Sequence, residues 1–219
     1  MYIIMLGAPG SGKGTIGRAL CEEFNLVHLA TGDIFRDEIN NQTELGMKAQ
    51  EYMNKGELVP DEITIAMIEN KLEELDNALL DGFPRTLAQA ESLKKYFSEK
   101  GKSITAVINL DVPDEDIIKR TSNRVICSNK DCGASYNTIF MPSKVPGICD
   151  NCGSSLIKRK DDEPETIKAR LVTYHEITEP LIDYYKEQGV LDSIAIDIYS
   201  PTTREDTTKA SIDSIKARI

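Results

Sequence analysis

Apolar residues gather in five short runs along this chain, at 2–6, 26–29, 78–81, 104–110 and 190–196. Runs of that length, bounded by turn-forming and polar residues, predict buried strands. Between them, apolar positions recur at helical spacing near 13–24, 61–73, 86–99, 114–122 and 163–187, with a last helix near 204–217. Such alternation predicts an α/β fold, a five-stranded parallel sheet covered by helices on both faces. In the helix at 163–187, Asp162 is the expected N-cap, and Pro164 falls in the first turn, where its missing N–H costs little. Ile167, Leu171, Tyr174, Leu181, Ile182 and Tyr185 fall on one stripe, and Arg170 emerges at its edge, placed to line a cleft.

Two stretches interrupt the alternation. Residues 30–59 are polar and helix-prone, whereas 123–160 hold four of the five cysteines, several Gly and Pro, and little helical periodicity. Both read as excursions, which leaves 1–29, 60–122 and 161–219 as the core.

The first strand runs into Gly7-Ala8-Pro9-Gly10-Ser11-Gly12-Lys13-Gly14-Thr15, and a helix follows. A glycine turn between strand and helix, closed by Lys and Thr, is the pattern of a phosphate-binding P-loop. Its glycines let backbone N–H groups face inward, the helix dipole adds positive potential, and the Lys13 ammonium reaches the outer phosphates. Gly14 stands where Ser or Thr is usual, so the hydroxyl arrives one residue later, at Thr15.

The net charge of −10 argues against a nucleic-acid-binding surface, which needs a basic face. No apolar stretch approaches the roughly 18 residues that span a bilayer, and Met1 leads straight into a strand pattern, so the expectation is a cytoplasmic protein without membrane contact. Arginine is scarce, nine against seventeen lysines, yet Arg36, Arg85, Arg120, Arg124, Arg159 and Arg170 lie in or beside motifs. Guanidinium groups suit bidentate phosphate contacts.

Cys127-x4-Cys132 and Cys149-x2-Cys152 stand sixteen residues apart, each pair followed by Gly. Four thiolates at this spacing predict a closed tetrahedral zinc knuckle, with disulfides or unbonded thiols as the alternative. Cys21 lies among apolar residues and is expected to pack.

After the third strand comes Asp81-Gly82-Phe83-Pro84-Arg85, an acidic strand end followed by a turn and an arginine. Taken together, these residues resemble the adenylate kinase family, from Met1 to about Asp197. The resemblance rests on the glycine loop, on Thr31-Gly32-Asp33 with Arg36, on Gly56-Glu57-Leu58-Val59, and on Asp81 to Arg85 with Gln89. It extends to Arg124, the four cysteines, Ser135-Tyr136, Arg159-Lys160-Asp161-Asp162 and Arg170, as in zinc-containing members with a long lid.

The resemblance implies a P-loop core, a small helical AMP-binding insert (30–59) and a zinc-knuckle lid (123–160). It also implies the reaction ATP + AMP ⇌ 2 ADP, with Mg²⁺ on ATP and a structural Zn²⁺. Gly10, Ser11, Gly12, Lys13, Gly14 and Thr15 would wrap the ATP phosphates, Arg120 would lie against adenine with Arg124 on the phosphates, and Ser135 and Tyr136 would complete that site. Thr31, Arg36, Glu57, Leu58, Val59, the Gly82-Phe83-Pro84-Arg85 turn and Gln89 would hold AMP, with Thr31 and Gln89 near the base. Arg159 and Arg170 would clamp the transferred group, and Asp161 and Asp162 would brace the closed lid. Asp81 would hold Mg²⁺ through water, and Cys127, Cys132, Cys149 and Cys152 would bind zinc. A monomer is the family expectation.

Two positions depart from the family pattern. Val125 follows Arg124 where a second arginine is frequent, and Asp197-Ile198 replaces an Asp-Gly or Asn-Gly turn facing the ATP base. Rival readings are a pyrimidine monophosphate kinase, which a smaller residue at Thr31 would favour, and a zinc-stabilised switch that binds nucleotide or nucleic acid without turnover.

Overall fold

The computed structural model describes residues 1–129, 132–200 and 202–219; Lys130 and Asp131, inside the first cysteine spacing, lie outside them. Strand β1 (Tyr2–Gly7) leads through the glycine loop into α1 (Lys13–Phe24), followed by β2 (Val27–Ala30). Two helices, α2 (Thr31–Asn40) and α3 (Glu44–Lys55), occupy the first excursion, and α4 (Asp61–Glu73) returns the chain to β3 (Ala78–Asp81). Next come α5 (Leu87–Glu99), β4 (Ala106–Asp111) and α6 (Asp114–Ser122). The cysteine-rich stretch holds β5 (Arg124–Cys127), β6 (Ser135–Asn137) and β7 (Leu156–Ile157). Helices α7 (Pro164–Thr173) and α8 (Pro180–Glu187), strand β8 (Leu191–Ala195) and helix α9 (Thr203–Lys216) complete the order.

The five core strands form one parallel sheet in the order β2-β3-β1-β4-β8. Successive side chains of a strand point to opposite faces, and β1 separates the two cores accordingly. Ile3 and Met5 pack with Leu20, Ile108, Ile117 and Ile215 on one face, while Tyr2, Ile4 and Leu6 pack with Ile68, Leu80, Leu93 and Phe97 on the other. Cys21 packs at the margin of the first cluster, as expected. The central strand β1 therefore delivers the glycine loop to the carboxyl edge of the sheet, where open α/β folds bind ligands.

The single helix expected at 163–187 is three pieces. A π-helical turn at Tyr174–Thr178 separates α7 from α8, closed by Glu179 N–H donating to the Tyr174 carbonyl at 2.8 Å. Pro180 explains it: without an N–H it cannot continue the regular ladder, and the widened turn carries the chain past it. The turn also shifts the helical phase. Ile167 and Leu171 pack on one face of the sheet and Leu181 and Tyr185 on the other, so the stripe read from the sequence is two stripes. Asp162 is not the N-cap: Glu163 holds that position without a side-chain bond, and both Asp162 oxygens are taken by Arg124.

His175 sits in the π turn, its Nδ1 2.7 Å from Glu179 and its Nε2 2.9 Å from Asp114 at the start of α6. Hydrogen bonds to Glu179 and to Asp114 raise its pKa above the ordinary 6.5. The protonated ring's stabilisation is therefore full below the ordinary value and fades as pH climbs through the raised one. The melting temperature of the parent should exceed that of His175→Gln by more at about pH 6 than at about pH 9; a pH-independent gap in paired melts would contradict this.

The first excursion has its own small core of Phe35, Ala49 and Val59. Thr43 caps α3 by accepting from Gly46 N–H at 3.0 Å. Gly46 is required by close approach, since a Cβ there would lie 2.2 Å from the Glu38 carbonyl oxygen. The second excursion holds a three-stranded antiparallel sheet in the order β6-β5-β7, which the sequence pattern did not reveal. These strands have two to four residues each and carry no alternation long enough to read.

Candidate active site

The glycine loop closes at Gly12, which has φ 107° and caps α1 without a side-chain bond, so the first N–H groups of the helix stay available. Lys13 Nζ donates to the carbonyls of Gly7 (2.6 Å) and Ala8 (2.8 Å). Burial, opposed by Asp81 and reinforced by Arg85, Arg170 and Arg124, pushes its pKa down to about 7. Asp81 ends β3 beside it. Burial acts to raise that carboxyl, but His28, at 3.5 Å, and Lys13 hold it below its ordinary value.

Six arginines face the loop. Arg120 donates to the Ser11 carbonyl at 3.3 Å. Arg124 grips Asp162 with Nε (2.7 Å) and Nη2, leaving Nη1 directed elsewhere. Arg36 donates to Asp33 at 2.6 Å and to Asp161 at 3.5 Å, and Arg170 meets the same Asp161 carboxylate at 3.1 Å. Arg159 lies 3.8 Å from Asp33, and its buried Nε has no hydrogen-bond partner among the described residues. Arg85 donates to the Gly82 carbonyl at 2.9 Å. Burial and neighbouring cations bring Arg85 and Arg159 down to about 10, still protonated at neutral pH.

These groups surround one cavity of about 270 Å³, lined by the glycine loop, both excursions and α7. Of the residues expected at the site, Gly10, Gly12 to Thr15, Thr31, Arg36, Glu57 to Val59, Asp81, Gly82, Pro84, Arg85, Gln89, Arg120, Arg124, Ser135, Tyr136, Arg159, Asp161 and Arg170 line it. Ser11, Phe83 and Asp162 do not. Ser11 is buried beneath the loop, Phe83 packs in the sheet core, and Asp162 stands behind Arg124 as its counter-ion. Tyr136 contributes little through its hydroxyl, which turns toward Cys149 (3.5 Å) and accepts from Asp150 N–H (2.9 Å).

Sequence reasoning assigned no role to Asp33, Asn137 or Tyr199. Asp33 precedes Arg36 by three on one helix, an ion-pair spacing that was open to reading. Asn137 donates to the Arg120 carbonyl at 2.9 Å, a contact without a sequence signature. Ile198 is buried in the sheet core, which turns Tyr199 outward to accept from Lys119 (2.7 Å), donate to Asp116 (3.0 Å) and meet Phe140 edge-on. Val125, in place of a second arginine, packs against the cysteine cluster.

The sulfur atoms of Cys127, Cys132, Cys149 and Cys152 all lie within 4.8 Å of one another. Separations of 3.4 Å (Cys127–Cys152) and 3.6 Å (Cys132–Cys149) exceed a disulfide bond. They approach the edge of about 3.8 Å implied by tetrahedral Zn–S bonds of about 2.3 Å. The donor set and its spacing fit zinc. On the other side, the Asp81 carboxylate beside Gly14 and the loop fits a hydrated Mg²⁺ brought with a nucleotide.

A cluster of cations this dense, in a chain of net charge −10, is built for polyanions, and its spread across two excursions suits two of them. Comparison with known proteins gives the same direction. The model of the adenylate kinase family matches residues 5–190. An adenylate kinase of Caldicellulosiruptor saccharolyticus is 51% identical over 209 residues, 94% of this chain and 96% of the relative. One from Lachnospira eligens is 54% identical over 197 residues (89% and 92%), and one from Methanothrix thermoacetophila is 49% identical over 197 (89% and 90%).

Proposed function

The chain belongs to the adenylate kinase family, and from that premise we propose how its residues carry out ATP + AMP ⇌ 2 ADP. The observation that carries the reading is the convergence of Lys13, Arg36, Arg85, Arg124, Arg159 and Arg170 on one cavity. The attacking atom is an AMP phosphate oxygen, already ionised, so the reaction needs no side-chain nucleophile. The new bond joins that oxygen to the γ-phosphorus of ATP as the bond to the β-phosphate oxygen breaks, and ADP leaves on each side. Catalysis is then positional and electrostatic.

In this reading Gly10 to Thr15 wrap the ATP phosphates with backbone N–H groups, and Lys13 exchanges its loop carbonyls for phosphate oxygens. An anion there would return its depressed pKa toward the ordinary value. Arg36 and Arg85 hold the AMP phosphate, while Arg124, Arg159 and Arg170 close on the transferred group. Asp33, Asp161 and Asp162 aim Arg36, Arg124, Arg159 and Arg170 and leave each with unused N–H groups, while the Gly82 carbonyl aims Arg85. Thr31 and Gln89 face the AMP base. Mg²⁺, when bound with ATP, would supply charge neutralisation on the phosphates, and Asp81 would hold it through water.

Residues 30–59 act as the AMP-binding insert and 123–160 as a lid knit by structural zinc, and their closure keeps water from the phosphoryl group. No helix among the described residues is long and apolar enough to cross a membrane; a cytoplasmic monomer is the proposed state. Initial rates with ATP and each of AMP, CMP, UMP and GMP test the assignment. AMP should be the preferred acceptor; preference for a pyrimidine would overturn the base site.

A further inference from the structure

Gln89 is 2% exposed, lines the cavity beside Arg85, and has both ends of its amide held. Its Oε1 accepts from Arg85 N–H at 2.7 Å, and its Nε2 donates to Asp61 Oδ1 at 2.7 Å. The other Asp61 oxygen accepts from the Thr86 hydroxyl at 2.8 Å, and Thr86, the N-cap of α5, accepts from Gln89 N–H at 3.1 Å. The two ends of a primary amide have nearly the same shape and differ only in which donates. An ionised carboxylate only accepts, and a backbone N–H only donates. A reversed amide would therefore set oxygen against the Asp61 carboxylate and N–H against the Arg85 N–H.

We propose that Asp61 is a specificity-determining positioning residue, fixing the Gln89 amide in the one orientation that pairs with a 6-aminopurine and rejects a 6-oxopurine. The inference rests on the placement of Gln89 at the acceptor's base. One Nε2 proton and one Oε1 lone pair remain unused. Adenine offers an acceptor at ring N1 and a donor at its exocyclic amine, which that pair of sites matches. A 6-oxopurine reverses both, with an acceptor at position 6 and a donor at N1. It can pair only with the reversed amide, at the cost of two like-pole contacts in a buried site, and mispaired buried groups are what let enzymes discriminate strongly.

The test compares AMP and IMP as acceptors, which differ at position 6. The side chain of Asp61→Asn is isosteric and can meet Gln89 with either oxygen or N–H, so one of the two penalties disappears. The IMP-to-AMP ratio of kcat/KM should rise at least about tenfold, the lower end of one mispaired hydrogen bond. The change should lie in KM, with kcat at saturating AMP close to the parent. Because the ratio is taken on one preparation, partial unfolding does not alter it. An unchanged ratio overturns the proposal. Gln89→Met, which can neither donate to N1 nor accept from the exocyclic amine, separates the premise. A raised KM for AMP in this variant alongside an unchanged ratio in Asp61→Asn defeats only the role of Asp61, whereas an unchanged KM for AMP in Gln89→Met defeats the base placement as well.

Discussion

Arg85→Ala is expected to lower turnover at least ~100-fold, the loss typical of removing a preorganised group from developing charge, with the fold intact. The side chain makes a single hydrogen bond, to the Gly82 carbonyl, and no ion pair among the described residues. Its charged surroundings are mixed: after burial, the largest influence lowering its pKa is Arg170, with Arg36 acting the same way, while Asp81 and Asp161 oppose them. A basic group whose folded pKa is depressed costs the folded state stability wherever it is protonated, so deleting it should leave the melting temperature unchanged or raised. It should also raise the pKa of Lys13, which Arg85 helps to depress. Rates of ADP formation and thermal melts on one preparation check both halves. Near-normal turnover would remove Arg85 from the phosphate site, and a collapsed melt would show a structural role instead.

Cys149→Ser carries the largest expected effect on stability. The apolar cluster of the cysteine-rich stretch has only Cys127, Tyr136 and Cys149 buried, with Val125, Cys132, Ala134 and Leu156 packed partly against it. So small a core does not offset the entropy of ordering such a segment, and in the proposed reading a metal held by the four thiolates contributes the folding energy. Losing one thiolate should release zinc and lower the melting temperature by about 10 °C, corresponding to ~3–4 kcal/mol for a chain of this size. Protease sensitivity should appear within 123–160 while the sheet core stays protected. Elemental analysis of the parent provides the check: a chain without zinc, and a variant with an unchanged melt, would refute the knuckle.

Several elements stand at their expected bounds: the strand at 78–81, a short buried run, and the helices at 13–24, 61–73 and 114–122, each of which buries one stripe against the sheet. The second strand runs 27–30 rather than 26–29, and the fourth begins at 106 rather than 104. The 163–187 helix misled because periodicity reports that positions share a face but not which face, and one π turn at Tyr174–Thr178, just ahead of Pro180, rotates the register between two cores. At the site, the cations were visible because phosphate chemistry limits the residue types that serve it. Their counter-ions were less so. Asp162 read as a helix cap because its place before Pro164 suits one, and only the fold brings Arg124, thirty-eight residues earlier, against it. The Asp61–Gln89 bond likewise joins the starts of two helices, a relation no local pattern contains.

The Arg124–Asp162 pair has a mechanical consequence. These residues stand where the chain leaves α6 and where it comes back toward α7, so the pair ties together the two ends of the segment between them. Asp162 has a side chain only 4% exposed, and prying the ends apart would strand a carboxylate in the interior. The two ends of the segment are therefore fastened together at its root, and they part only with the loss of that buried pair.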